Sequence, residues 1–517
     1  MHPQGSPLPV YRLDDGDWRF SPAVRGVKDD SRAVGPGDLF VAVRGSHDDG
    51  HRHLAEAIAR GAIAAVVEQP TAATDIPLVA VTNSRRALGE IASAWYHHPS
   101  RELELVGVTG TNGKTTVAVM LAAILNAAGR PAQAVGTLGP FAPGTRHPLT
   151  TPFPLELQAT LRALVQAGTR AVVMEVSSHG LVQHRVAGCE FDAAVLTRLG
   201  RDHLDYHGTL KAYWAAKTRL FKLLASAPRH KAGVPTAVLP ASGEGVLAVA
   251  RHVRVPVLRF GLEAGDLQAR DIVPTLWGSR FTLVDHGIPQ AVSVHLPGRF
   301  HVENALAAAA AALALGVDRR TVAVGLDRLR HVPGRAERVM LGEGGFAVID
   351  YAHNPDALAS LLGAVRAGWR GRRLVCVFGG RGHRDPGKLP EMGEIAGALA
   401  DALVLTADSP LDDDPALLAA AIHAGVRPES TCQVEYVPDR EGAIEHAIRL
   451  AGPGGVVVIT GRGHERSQWF ADRTVDRSDA EMVRAARERV HGSRPVRRRR
   501  ARRAEDEEPL PGSGDGA

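Results

Sequence analysis

The run Gly107-Val-Thr-Gly110-Thr111-Asn112-Gly113-Lys114-Thr115-Thr116 carries the clearest chemistry in the chain. Its glycines let backbone N–H groups turn inward onto phosphate oxygens, and a helix starting at Lys114 adds its dipole. Lys114 is placed to reach the β- and γ-phosphates of a nucleotide, and the Thr115 hydroxyl to ligate Mg²⁺. The spacing is G-x-x-G-x-x-G-K-T, because Val108 stands where the usual phosphate loop has its first glycine. Of 61 basic residues only seven are lysine. A lysine that survives such a skew marks a position of interest, and Lys114 and Lys217 are two of them. Glu175, at the end of the apolar run Ala171–Val176, offers a second hard oxygen ligand for Mg²⁺.

The elements that must position these groups follow from the pattern around them. A length of 517 residues predicts about three domains. The buried-strand pattern Leu103–Val108 precedes the loop, and an alanine-rich helix follows from Lys114 to Ala128. Further strands are predicted at Ala171–Val176, Ala193–Thr197 and Ala237–Leu239. Strands alternating with helices imply a largely parallel, doubly wound sheet. Upstream, the apolar stretches Leu39–Val43, Ala62–Val67 and Leu78–Val81, with a helix near His53–Arg60, read as a small α/β unit. His97-His98-Pro99-Ser100 forms a hinge, since proline disfavours helix in the residue before it. After His331-Val332-Pro333-Gly334 the α/β pattern restarts, with strands at Ala347–Asp350, Leu374–Phe378, Ala402–Thr406 and Gly455–Thr460. Helices begin there at Pro355 and Leu389, and the unit ends near His491. The expected division is residues 1–98, 99–332 and 333–491, with a charged tail at 492–517.

At 44% hydrophobic and 23% charged residues, with a mean hydropathy of −0.08, the composition is that of globular domains. The formal charge is +5, but seven arginines between Arg494 and Arg503 and five acidic residues after them sit in the tail, leaving the body near +3. A basic run followed by an acidic run reads as disordered tail rather than a nucleic-acid surface. Cys189, Cys376 and Cys432 are few, odd in number and far apart, which argues against a disulfide framework or a zinc site. The N-terminus lacks the apolar core of a signal peptide, and the longest apolar run, Ala305–Leu315, is too short to span a bilayer. A cytoplasmic protein with no membrane or nucleic-acid partner is expected.

Five motifs now stand in order: Thr109-Gly-Thr-Asn-Gly-Lys-Thr-Thr116, Glu175-Val-Ser-Ser-His179, Asp202-His-Leu-Asp-Tyr-His207, Asp350-Tyr-Ala-His353 and Gly461-Arg-Gly-His-Glu465. Together they resemble the Mur ligase family, and most of all its tripeptide-synthetase members. Asp30-Ser-Arg32, Gly37-Asp-Leu-Phe-Val-Ala42, Asp49-Gly50 and Ser177-Ser-His-Gly-Leu-Val-Gln-His-Arg185 extend the resemblance over about residues 25–470. It implies an α/β protein of three domains: a small N-terminal α/β UDP-sugar domain, a central P-loop ATPase with a mostly parallel sheet, and a C-terminal Rossmann-like domain that brings an amino acid. It implies an ATP- and Mg²⁺-dependent, ADP-forming ligase of peptidoglycan biosynthesis. The substrates would be UDP-N-acetylmuramoyl-L-alanyl-D-glutamate and a free amino acid, joined through an acyl phosphate on the D-glutamate γ-carboxyl by a monomer.

The same resemblance assigns roles. Gly110, Thr111, Asn112, Gly113, Lys114, Thr115, Thr116, Asn304, Arg335, Asp350, His353 and Asn354 match ATP-binding positions. Thr115, Glu175, His203 and Lys217 match metal ligands, Lys217 as a carbamate formed with CO₂; Lys114, Glu175, His203 and Lys217 are the catalytic set. Ser31 matches the UDP end, and Thr150, Thr151, Ser177, Gln183 and Arg185 the muramoyl dipeptide. Arg384, Asp408, Gly461 and Glu465 match the incoming amino acid, while His184 and His464 read as structural.

Four positions depart from the family pattern. Diaminopimelate-adding members carry D-N-P-R where this chain has Asp408-Ser409-Pro410-Leu411, and leucine cannot grip a carboxylate. The family run G-D-R-D-x-G-K-R-P is Gly382-His-Arg-Asp-Pro-Gly-Lys-Leu389-Pro390; Arg198 replaces an asparagine, and Pro240-Ala-Ser-Gly replaces N-A-D-D. The activation chemistry is kept, and the amino acid stays open between the usual substrate of the branch and that of a divergent paralogue.

Overall fold

A computed structural model describes residues 10–12, 17–45, 48–70, 74–140, 149–226, 229–275 and 277–492. The arginine run and acidic end predicted as a tail lie outside them from residue 493 onward. Three parallel-dominated sheets follow one another along the chain.

The first has four parallel strands, Gly26–Lys28, Asp38–Val41, Ala64–Val67 and Leu78–Ala80, paired in chain order. Two helices serve it, Leu54–Ala59 and Ser84–Trp95. The second helix and a short antiparallel pair, Val10–Arg12 with Trp18–Phe20, go beyond the sequence expectation. Alternation along the strands sends Leu39, Val41, Ala64 and Val66 into one core and Phe40, Ala42, Ala65 and Val67 into the other.

The central sheet has nine strands. The phosphate-loop strand Glu104–Thr109 lies in its interior, between Ala171–Glu175 and Ala193–Leu196, parallel to both. Parallel pairing continues through Thr236–Pro240 and Val257–Gly261. The sheet then closes with an antiparallel meander, Leu267–Thr275, Gly278–Asp285 and Ile288–Val294, that the sequence pattern did not announce. On one face lie the helices Lys114–Ala127 and Arg299–Ala314, packed against each other and sharing one core. Six consecutive alanines, Ala307–Ala312, are fully or nearly fully buried there, so the apolar run of the sequence is a core helix. No helix among the described residues is long and apolar enough to cross a membrane.

The third sheet runs in the order Glu337–Gly342, Gly345–Ile349, Val456–Ile459, Leu374–Phe378, Ala402–Leu405, Gln433–Tyr436, with only the first pair antiparallel. Its two faces fill separate cores, again by strand alternation: Val348, Cys376 and Val458 on one side, Val375, Val377 and Val457 on the other. A buried ion cluster clamps its edge. Asp479, first residue of the helix Asp479–His491, accepts Nε and Nη2 of Arg440 at 2.7 Å each and Nη1 of Arg462 at 3.2 Å. Arg440 also donates to the carbonyl of Thr460, so three segments converge on one carboxylate.

Two predictions concern stability. Asp479→Ala leaves two guanidiniums buried without an anion, so unfolding in urea should show a loss of about 3–5 kcal/mol. His301, buried in the first turn of Arg299–Ala314, is pushed down to about 3 by burial and by the charge of Arg335. The folded protein therefore keeps it neutral while the unfolded chain protonates it below about pH 6.5, and stability drains away as pH falls from there. His301→Gln should flatten that acid limb by about 1.4 kcal/mol per pH unit, read from unfolding free energies between pH 4 and 6.5.

A candidate active site where two sheet edges meet

Parallel strands place their C-terminal loops at one edge, and in a doubly wound sheet ligands collect at that edge where the strand order reverses. The central sheet does this at Glu104–Thr109. Gly110 and Gly113 both have φ in the left-handed range, +151° and +92°. A Cβ at Gly110 would overlap the Thr197 hydroxyl, and one at Gly113 would overlap the side-chain oxygen of Asn304. Only glycine lets the loop lie this close to its neighbours. Lys114 Nζ donates to the carbonyls of Gly110 and Thr111 at 3.0 Å each, closing the loop on itself. Burial lowers its pKa, against the pull of Glu175 and Asp202.

Thr115 Oγ1 donates to Glu175 Oε2 at 2.8 Å and accepts from Arg335 Nη2 at 2.8 Å. Glu175 Oε1 accepts the backbone N–H of Thr137. The Thr115–Glu175 separation is close to the edge of an octahedron with Mg–O distances of about 2.0–2.1 Å. Two facing oxygen ligands beside a phosphate loop suit Mg²⁺. Among the described residues no three His, Cys, Asp and Glu side chains form a metal-binding group. Mg²⁺ does not require one, since it keeps several waters and takes one or two protein ligands plus substrate phosphates.

His203 and Lys217 both pack against Tyr213. His203 has a left-handed backbone, φ 52°, and its buried Nδ1 has no partner. Burial pulls its pKa to about 3, so the imidazole is neutral and a lone pair is free for a cation. Lys217, 1% exposed, sits 4.2 Å over the Tyr213 ring and donates to the Gly110 carbonyl at 2.8 Å. Burial and the charge of Lys114 hold its pKa well below the ordinary lysine value. A neutral amine is the species that adds CO₂, so this environment fits a carbamate.

The third sheet supplies the opposite wall. Asp350 accepts the backbone N–H groups of Ala336 and Ala352 at 2.7 and 2.8 Å, and burial raises its pKa. Arg335 stacks 4.7 Å from the Tyr351 ring centroid on its way to Thr115. Asn354 caps the helix Pro355–Gly368 and donates to Asn112 Oδ1 at 3.1 Å, while Asn112 Nδ2 donates back at 3.4 Å. His353 lies 3.4 Å from Asp202 Oδ2. Burial alone would raise Asp202, yet its hydrogen bond to His353 and the charges around it hold it well below the usual carboxylate range.

Around this seam lies a cavity of about 400 Å³. It is lined by Thr111–Thr116, Thr150, Glu175, Ser177, Arg185, His203, Asn304, Arg335, Asp350, His353 and Arg384. Arg185 donates Nη1 to the Thr151 carbonyl and Nε and Nη2 to Gln183, and stacks on Phe153. Burial lowers its pKa to about 10, and it stays charged at neutral pH. Thr151 Oγ1 bridges the Ser177 N–H and the Glu175 carbonyl. Asp408 and Gly461 line a smaller adjoining pocket, and Glu465 contacts it through Arg381. Ser31 is not brought to either pocket; it donates to Glu56 at 2.7 Å within the first unit.

The geometry adds residues the sequence reading passed over. His179 meets His203 and His207 edge to face and packs against Tyr206 at a tilt, and burial pulls its pKa to about 4. Lys388 is buried in the small pocket, a place its rarity among the basic residues could have flagged. Arg381 shares that pocket, and nothing in the sequence separates it from 53 other arginines.

Comparison with known proteins bears directly on this arrangement. Residues 23–96, 108–312 and 334–463 match family models described as the Mur ligase family catalytic domain, the Mur ligase middle domain and the Mur ligase glutamate ligase domain. A UDP-N-acetylmuramoyl-L-alanyl-D-glutamate–2,6-diaminopimelate ligase of Geobacillus kaustophilus is 40% identical over 485 residues, covering 93% of this chain and 98% of that protein. The enzyme of the same name from Alkalilimnicola ehrlichii is 42% identical over 495 residues, covering 92% and 96%. A solved structure bearing that name is 30% identical with a TM-score of 0.63, covering 90% of this chain and 95% of the other. MurF from Acinetobacter baumannii, 21% identical with a TM-score of 0.63, shares the fold. With a phosphate loop facing a second sheet edge, and with matches spanning all three sheets, the chain belongs to the Mur ligase family.

Proposed function

We propose that the chain is an ATP- and Mg²⁺-dependent amide-forming ligase that extends UDP-N-acetylmuramoyl-L-alanyl-D-glutamate by one amino acid, in the cytoplasm, during peptidoglycan synthesis. One observation carries the reading: a phosphate loop, the buried charged Arg185, and a smaller pocket lined by Arg381, Arg384, Lys388 and Asp408 all open on a single seam between two sheets. The names of relatives about 40% identical over nearly the whole chain support the acceptor. The labour divides among residues 1–98 for the UDP-sugar, 99–332 for ATP and 333–491 for the amino acid, with Ser31 serving the UDP end.

The chemistry needs activation because a carboxylate has no leaving group. A γ-carboxylate oxygen attacks the γ-phosphorus, the bond to the β–γ bridging oxygen breaks, and ADP departs, leaving an acyl phosphate. The amine then adds to the carbonyl carbon, loses a proton, and phosphate leaves with the bonding electrons. Lys114 and the loop N–H groups neutralise the phosphate chain, Asn304 holds the nucleotide from beside the loop, and Asp350, His353 and Asn354 hold it from the facing wall. Arg335, placed on Thr115, faces the transferring phosphoryl group as a fixed cation. Arg185 orients the acceptor carboxylate, and positioning both substrates supplies most of the rate gain. Thr115 and Glu175 would hold one divalent cation, and His203 with a carbamate on Lys217 a second, and such ions would supply charge neutralisation for the phosphoryl group.

The decisive experiment uses an acceptor labelled with ¹⁸O in its γ-carboxyl. Turnover with an amino acid should place one label in the released phosphate; unlabelled phosphate would rule out the acyl phosphate route. Lys217→Ala should lower kcat by about 100-fold or more, on the scale of lost transition-state stabilisation. Depleting bicarbonate should slow the unmodified enzyme and spare that variant; equal sensitivity in both would remove the carbamate.

A further inference from the structure

Leu411 leaves open which group receives the far end of the incoming amino acid, and the loops around it hold an answer. Three loops leave the C-terminal edge of the third sheet side by side, after Phe378, Leu405 and Ile459. The first and second are in direct contact. Gly382 N–H donates to the Ser409 carbonyl at 3.1 Å, and a Cβ at Gly382 would overlap the Pro410 carbonyl. Leu411 stands just beyond, its N–H bonded to the Trp469 carbonyl at 3.2 Å. Arg381 rises from the first loop into the same space. Its guanidinium carbon is 5.7 Å from the Trp469 ring centroid, and Nη1 donates to Glu465 Oε1 at 2.7 Å. The side chain is only 26% exposed. Among the described residues Nε and Nη2 have no hydrogen-bond acceptor.

The surrounding acceptors are also unspent. Glu465 Oε2 and Asp408 Oδ1 are buried and have no partner. Buried polar atoms without partners are costly, and their clustering on one pocket is the mark of a ligand they complete. This pocket offers free donors and free acceptors together, which suits a group carrying both a carboxylate and an ammonium. Arg381, Arg384 and Lys388 share the pocket with Asp202 and Asp408, and Glu465 reaches it through Arg381.

We propose that Arg381 is the specificity-determining residue for the incoming amino acid. Its guanidinium grips the distal carboxylate of a diaminopimelate-type substrate from the loop beside Leu411, and the free oxygens of Asp408 and Glu465 take the neighbouring ammonium. The arginine that position 411 lacks is supplied from the adjoining loop. This rests on the ligase reading above.

The test is phosphate release by the full chain with ATP, Mg²⁺ and the UDP-linked dipeptide, using meso-diaminopimelate, L-lysine and L-ornithine. The unmodified protein should favour diaminopimelate in kcat/KM. Arg381→Ala should raise KM for diaminopimelate about 100-fold with kcat within a few-fold, and leave KM for lysine within about threefold. Arg381→Lys should recover little, since an ammonium cannot form the paired contact. Adding Leu411→Arg to Arg381→Ala should restore diaminopimelate. Arg381→Gln, closest in shape, replaces the alanine variant if its melting shows a damaged fold. Preference for lysine or ornithine by the unmodified protein, or an equal fall in kcat for all three amines in the variants, overturns the role of Arg381 alone. Phosphate release with none of the amines overturns the ligase reading, and this inference with it.

Discussion

One hydroxyl ties the active seam together. Thr115 Oγ1 donates to Glu175 from a neighbouring strand of the central sheet and accepts from Arg335, which enters from the third unit. The phosphate loop, the metal-side carboxylate and the facing cation therefore meet at one atom. Everything that holds the two sheets in register serves that contact. The reciprocal amide pair of Asn112 and Asn354 spans the same seam, and the ion pair of His353 with Asp202 lies beside it. Arg201 adds an ion pair to Asp385 across it, and the hydrogen bond from Arg335 to Thr115 is itself charge-assisted.

The seam is also electrically unfinished. Burial drives both buried lysines down in pKa, helped by the charge of Arg335 on Lys114 and of Lys114 on Lys217. A nucleotide's phosphates are the anions this cluster lacks. The same logic explains the neutral histidines His179 and His203, which burial keeps uncharged beside cations. Functional sites accept this strain, and the rest of the fold offsets it. Here the offset comes from four large apolar cores on the faces of two sheets and from the fully buried cluster of Arg440, Asp479 and Arg462.

Legibility in the sequence followed the physics of each signal. Buried parallel strands are continuous apolar runs, so Ala171–Glu175, Leu374–Phe378 and Val456–Ile459 were readable almost to the residue. The antiparallel meander from Leu267 to Val294 was not. Its strands are half exposed, carry Pro274 and Pro289, and alternate imperfectly, so neither period stands out. The helix Ser84–Trp95 escaped because Ser84, Gly89 and Ser93 and several alanines fill its buried face, leaving only Leu88 and Ile91 as large apolar residues there. Arg381 escaped for a different reason: its neighbours in space, Glu465 and Trp469, are more than 80 residues away in sequence.

The sequence by itself determined the chemistry that depends on local backbone: a glycine loop before a helix, a lysine among arginines, a carboxylate at a strand end. These signals are short-range, because the loop, the strand and the helix that shape them adjoin in the chain. Only the tertiary structure decided which groups share a pocket. Whether Arg381 or Leu411 faces the far end of an amino acid depends on how three loops from separate strands pack against one another. That packing is set by the order of strands in the sheet, where Leu374–Phe378 lies between Ala402–Leu405 and Val456–Ile459, and no spacing along the chain encodes it.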